Sequence, residues 1–259
     1  MLDAIRVGKI HNIDYLRKGK TPPLMLHLKY QFYEKTVYSL LKKTIGIENG
    51  NFFPTAGAAV PDEICEFVHS VGINMLVGYG LTESTATVSC FQNSGYEIGS
   101  VGTVMPDVEV KIGENNEILL RGKTITKGYY KKAEATAEAI DKEGWFHTGD
   151  AGYLNGDCLY LTERIKDLFK TSNGKYISPQ ALETKLAIDR YIDQIAIIAD
   201  QRKFVSALIV PMYGFVKDYA KEKGIEYKDM EELLQHPKII ACSAPVSIHC
   251  SNSSPIMNK

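Results

Sequence analysis

Long apolar runs are missing from this chain. Its longest stretch without Asp, Glu, Lys or Arg, residues 239–258, holds Pro245, Pro255 and five serines, so it does not read as a membrane span. The first twenty residues are broken by charge every few positions, which leaves no apolar segment for a secretory signal. An excess of either charge is missing as well. Thirty Lys and Arg against thirty-one Asp and Glu leave a net charge of -1, too weak a field to hold a polyanion, so no nucleic-acid partner is expected. Five cysteines, at 65, 90, 158, 242 and 250, include no CxxC pair, and six histidines show no HExxH spacing. Neither a disulfide scaffold nor a zinc site is therefore expected, and the thiols read as free in a reducing compartment. The default location is the cytoplasm, with peripheral contact to a membrane left open.

What is present suits a folded protein. Apolar residues make up 44% and charged residues 24% of 259 positions, enough for an ordinary core in one large domain or two smaller ones. Tyr30 to Lys43 carries Phe32, Tyr33, Thr36, Val37, Leu40 and Leu41 as one helical stripe. FFPTAG ends a short apolar run, Pro61 opens a helix over PDEICEFVHS, and VGINMLVGYG reads as a buried strand. Strand, helix, strand in that order predicts a parallel α/β unit. From Gly99 the texture becomes antiparallel. VEVKI and EILLRG flank Gly113 to Asn116, and WFHTGDAGYL and CLYLTER flank Asn155-Gly156-Asp157, giving two hairpins with a short helix, AEATAEAI, between them. After Arg164 come a helix capped by Ser178 with Pro179 in its first position, two β-branched strands, and a helix ended by Gly224. These form a compact α+β unit of about 75 residues. The last residues turn charge-free and rich in Ser, Cys and Pro, reading as a loosely ordered tail.

Three loops carry the chemistry. GYGLTES, Gly78 to Ser84, follows a buried strand, where parallel sheets place ligands. Gly78 and Gly80 would let backbone approach a ligand, with Tyr79 a flat ring, Thr82 a hydroxyl and Glu83 a hard oxygen suited to Mg²⁺. A glycine-rich turn whose tyrosine merely packs is the bland alternative. Asp150, between glycines in WFHTGDAG, can accept two hydrogen bonds from a vicinal diol, or simply bond its own turn. Arg164, Lys166, Lys170 and Lys175, around the Asn173-Gly174 turn, suit phosphate recognition or a lysine-protected strand edge equally well. His147 has no partner near in sequence, and Cys65 and Cys158 read as inert core thiols.

Taken in order and spacing, these loops resemble the adenylate-forming enzymes, the superfamily of acyl-CoA synthetases, luciferases and peptide-synthetase adenylation domains. FPTAGAAV is similar to the adenine loop, GYGLTES to the tyrosine–glycine–threonine–glutamate motif, WFHTGDAG to the ribose aspartate motif, and TERIKDLFKTSNGKYISPQALE to the interdomain hinge. The wording KDLFKTSNGKYI is most similar to the long-chain fatty acid–CoA ligase branch. The resemblance implies that Tyr79 stacks on adenine, with Gly57, Ala58 and Ala59 on its other side. It assigns Thr82 to a phosphate oxygen, Glu83 to Mg²⁺, Asp150 and Arg164 to the ribose, Lys166 to the hinge and Gly174 to the CoA path. Gly80 belongs to the same nucleotide loop. Implied with these are ATP and CoA as co-substrates and a long-chain fatty acid as substrate.

The expected architecture is α/β plus α+β. Residues 1–163 would form the carboxyl part of a large AMP-binding domain, 164–167 the hinge, 168–240 a small C-terminal domain and 241–259 an atypical tail. Two departures from the family pattern shape the expectation for activity. The family's glycine-rich phosphate loop has no counterpart before Phe52, and its late catalytic lysine has none after the last helix. Glu163 also stands where glycine or aspartate is usual. The chain is therefore expected to be incomplete: a long-chain fatty acid–CoA ligase by family, or a non-catalytic AMP- or ATP-binding fragment that needs the absent portion in trans.

Overall fold

The computed structural model describes residues 1–172 and 176–243, excepting the side chains of Lys166 and of 241–243. Gly174 and the tail beyond 243, both singled out in the sequence, lie outside the described residues. The chain divides into two compact units, Met1–Phe169 and Lys170–Lys259.

In the first unit, helix α1 (Leu2–Gly8) runs on as a π-helical segment, Lys9–Leu16. Helix α2 (Leu24–Tyr33) continues through a π-type turn, Glu34–Tyr38, into α3 (Ser39–Thr44). That turn changes the expected stripe. Tyr38 is fully buried with Tyr30, Tyr33, Val37 and Leu41 packed around its cluster, whereas Phe32 and Leu40 are 62% and 64% exposed and Thr36 is exposed. A π-type turn adds a residue to the helical repeat, so a uniform 3.6 period does not carry across it.

Strand β1 (Phe53–Thr55), helix α4 (Asp62–Ser70) and strand β2 (Met75–Tyr79) form the parallel unit read from the sequence, with Thr55 opposite Val77. Pro61 sits one residue before α4 rather than in its first turn. Cys65 and His69 face inward while Ile64 is 45% exposed.

Strands β3 (Ser89–Cys90), β4 (Thr103–Val104), β5 (Val108–Ile112), β6 (Glu117–Gly122), β7 (Phe146–Asn155) and β8 (Cys158–Arg164) complete an eight-stranded sheet, ordered β1-β2-β3-β4-β8-β7-β6-β5. All its pairs beyond β1–β2 are antiparallel. Both expected hairpins form. In β7–β8, Asn155 pairs with Cys158, so Gly156 and Asp157 make the two-residue turn, with Gly156 at φ +59. A glycine first in such a loop matches the twist of the flanking strands. Helix α5 (Ala133–Ala139) links β6 to β7. Val88, Ile118, Leu120 and Leu159 are fully buried and form the core under this sheet.

Two short strands, β9 (Phe169–Lys170) and β10 (Tyr176–Ile177), follow. In the second unit, helix α6 (Pro179–Leu186) starts as expected, with the Ser178 hydroxyl accepting from the Ala181 amide at 3.5 Å. Strands β11 (Ile192–Ile198) and β12 (Ser206–Pro211) pair antiparallel. Helices α7 (Tyr213–Glu222), α8 (Met230–Gln235) and α9 (Pro237–Ser243) follow, and Val216, Ala220, Leu233 and Ile239 form the unit's own core. Among the described residues, no helix is long and apolar enough to cross a membrane.

Candidate functional site

Three of the residues singled out in the sequence meet at one place. Tyr79 ends β2, and its hydroxyl donates to Oδ2 of Asp150 at 2.7 Å. Asp150 lies on β7 directly opposite Arg164 of β8, and Nε of Arg164 stands 3.6 Å from the other carboxylate oxygen. The Asp150 side chain is 13% exposed and that of Arg164 is 51% exposed, so a covered acceptor faces an accessible cation. Asp150 and Arg164 come to face each other because the β7–β8 register shifts between Ala151 and Gly152, and β3 and β4, each two residues long, separate β2 from the hairpin.

Tyr79 differs from the expected open platform. Its ring is 8% exposed and packs with Val88, Ile118, Leu120, Phe146 and Leu159. Burial, followed by the bond to Asp150, pushes its hydroxyl far above the ordinary tyrosine range, so it stays a donor to the carboxylate. Gly80 also serves another purpose than ligand approach. A methyl built there would overlap the Ala86 carbonyl, so the missing side chain lets the loop fold back on itself. Gly78 similarly faces the Ser89 carbonyl. The returning loop holds Thr85 and Ala86 at φ +54 and +79, conformations that cost non-glycine residues energy.

Beyond Gly80, Thr82 is exposed and Glu83 half-buried on a short 3₁₀ turn. Tyr129 donates to Oε1 of Glu83 at 2.8 Å, and the Thr126 amide donates to its main-chain carbonyl at 2.7 Å. The segment after β6 therefore steadies this carboxylate. Among the described residues no group of three or more His, Cys, Asp or Glu gathers as a metal cluster. Glu83 alone still fits Mg²⁺, which is commonly held by one or two carboxylates with water and phosphate oxygens completing the shell.

Gly57, Ala58 and Ala59 are exposed in the turn after β1, with Gly57 at φ +90. The β1–β2 register sets this turn at the same carboxyl end of the sheet as Tyr79, where open α/β sheets bind ligands. Lys166 falls on a 3₁₀ turn, Ile165–Asp167.

Several partners had no assigned role in the sequence. Thr148 donates to the Ile118 carbonyl at 2.7 Å and accepts the Asp150 amide at 3.0 Å. Glu117 accepts from the Gly149 amide at 2.9 Å, and its second oxygen lies 2.9 Å from Nδ1 of His147. His147 is thus bonded to a residue thirty positions earlier. Cys65 and Cys158 are buried, and burial pushes the Cys65 thiol up to about 11, which keeps it unreactive.

Comparison with known proteins adds an independent line. The AMP-binding enzyme family matches residues 16–130. The chain is 33% identical over 225 residues to the long-chain-fatty-acid–CoA ligase FadD15 of Mycobacterium bovis, covering 85% of this chain and 37% of that protein. It is 34% identical over 203 residues to long-chain-fatty-acid–CoA ligase 1 of Saccharomyces cerevisiae, covering 71% and 29% respectively. Its fold is similar to the adenylation domain of a carboxylate reductase from Mycobacterium chelonae, with a TM-score of 0.60 at 22% identity, over 86% of this chain and 35% of that one. The chain spans about a third of the length of the curated relatives it matches.

Proposed function

We propose that this chain, which belongs to the AMP-binding, adenylate-forming family of acid–thiol ligases, carries the adenosine-binding part of a long-chain fatty acid–CoA ligase. The convergence of Tyr79, Asp150 and Arg164 carries this reading. Two carboxylate oxygens on one covered side chain match the paired donors of a ribose diol, and the Arg164 guanidinium beside them is a donor to the same ribose. The exposed turn of Gly57, Ala58 and Ala59 follows β1 at the same carboxyl end of the sheet as Tyr79, and an adenine there would rest on this turn rather than on the covered Tyr79 ring.

The reaction proposed for the complete enzyme has two steps. A fatty carboxylate attacks the α-phosphorus of ATP and pyrophosphate leaves, then the CoA thiolate attacks the acyl-adenylate carbonyl and AMP leaves. The first step sets anion against anion, so neutralising charge is its main demand. Glu83 would hold Mg²⁺, which when bound screens the phosphate charge, and Thr82 would bond a phosphate oxygen. Tyr129 keeps the Glu83 carboxylate turned and ready. Lys166 as hinge, Gly174 on the CoA path, residues 168–240 as the small domain and a cytoplasmic location belong to the same reading. Long-chain preference rests on relatives of that name at 33% and 34% identity.

A second reading is nucleotide binding without ligation. Two experiments separate the readings. Calorimetric titration with AMP is expected to show saturable binding, and an absence of heat overturns both. Fatty-acid-dependent exchange of labelled pyrophosphate into ATP then decides between ligase and binder. Exchange by this chain alone supports the first, and binding without exchange supports the second.

A further inference from the structure

The strand carrying Asp150 is out of step with its neighbour. Leu119 of β6 pairs with His147, yet Glu117 pairs with Ala151. Three β7 residues, Thr148, Gly149 and Asp150, therefore stand opposite Ile118 alone, forming a bulge. A bulge leaves ladder groups unpaired and re-aims side chains, and because side chains alternate with period two, a one-residue slip here would turn Asp150 to the opposite face.

Two amides and a carbonyl at the bulge find partners in side chains of β6 and of the bulge itself. Oε1 of Glu117 takes the amide of Gly149, a buried residue at φ +73. The Thr148 hydroxyl links the Asp150 amide to the Ile118 carbonyl. Oε2 of Glu117 holds Nδ1 of His147, at the other end of the bulge, and the Glu117 side chain is only 20% exposed. One carboxylate thus grips both His147 and Gly149, and Asp150 is the next residue along.

We infer that Glu117 is a positioning residue for Asp150: its carboxylate locks the β7 bulge in the register that aims Asp150 at Tyr79, Arg164 and a bound ribose. This inference rests on the proposed ribose role of Asp150. Removing the carboxylate leaves a buried amide unpaired and frees the register, so the loss falls on the contact Asp150 makes.

The test is calorimetric titration of the full chain with AMP and with 2′,3′-dideoxy-AMP. The wild type is expected to prefer AMP by about tenfold, the worth of a hydrogen bond or two. In Glu117→Ala that preference is expected to collapse toward unity while dideoxy-AMP affinity stays within about twofold. Glu117→Gln, which keeps an acceptor for Gly149, is expected to restore the preference. Should the alanine variant fail to fold, Glu117→Asp withdraws the acceptor by one methylene and is expected to lose the preference likewise. Equal weakening of both nucleotides, or an undiminished preference, overturns the positioning role alone. A wild-type chain that binds both nucleotides equally overturns the ribose assignment of Asp150, and the inference with it.

Discussion

The Tyr79 hydroxyl and the Asp150 carboxylate are joined at 2.7 Å although 71 residues separate them in sequence. This bond ties the end of β2 to the distant β7–β8 hairpin and brings the two motifs to one point. Phenylalanine at 79 would keep the ring packing and delete only the bond. A hydrogen bond to a charged group contributes about 1.5–3 kcal/mol, so Tyr79→Phe is expected to lower the stability of the first unit by that amount. Trp145, the sole tryptophan, lies in that unit and reports its urea unfolding. An unchanged midpoint would count against the bond.

Gly80→Ala tests the loop. The added methyl would overlap the Ala86 carbonyl, and backbone has no rotamer with which to escape. Overpacking of this kind costs about 1–3 kcal/mol. The expected result is a displaced Thr82–Glu83 turn and AMP affinity weakened about tenfold or more, measured by calorimetry. A variant that binds as the wild type does would detach the loop from the nucleotide.

Glu83→Gln tests the metal. Mg²⁺ is expected to tighten ATP binding to the wild type and to have little effect on the variant, because a neutral amide is a poor ligand for a hard cation. AMP binding without metal should fall much less. Tyr129→Phe, which frees the Glu83 carboxylate without discharging it, is expected to give an intermediate Mg²⁺ response in the same titration.

Acid should weaken the first unit through His69. The ring is 6% exposed, its Nδ1 lies 2.9 Å from the Tyr96 hydroxyl, and burial, with Arg17 adding to it, lowers its pKa from 6.5 to about 4. The unfolded chain therefore binds more protons than the folded one between those values. The stabilisation is complete above about pH 6.5 and is lost as pH falls toward 4, amounting to about 3 kcal/mol in all. Urea midpoints followed by Trp145 fluorescence should decline over that window, and the decline should flatten in His69→Gln. A parallel decline in the variant would assign it to other groups.

Much of the fold was legible because it is local. Period-two alternation with a glycine turn at 156 specifies the β7–β8 hairpin, and the same alternation around Gly113 to Asn116 specifies β5–β6. Ser178 and Pro179 mark the start of α6 by capping chemistry confined to four residues. The Tyr79 loop could be picked out as a glycine-rich turn at a strand end, Asp150 as a carboxylate beside a glycine, and Arg164 as part of a local cluster of positive charge.

Tertiary structure decided what those residues touch. The phase of the helical run at 24–44 depends on a π-type turn whose buried Tyr38 bonds the Ala4 carbonyl, a partner no local period reports. Whether the Tyr79 ring lies open or covered depends on Val88, Ile118 and Leu159 from three separate strands or loops. The aim of Asp150 depends on Glu117, thirty-three positions earlier, capturing an amide that the β6–β7 ladder leaves unpaired. Periodicity and turn chemistry act over a few residues and so can be read along the chain. Burial and the satisfaction of displaced backbone groups depend on what the remainder of the chain brings alongside.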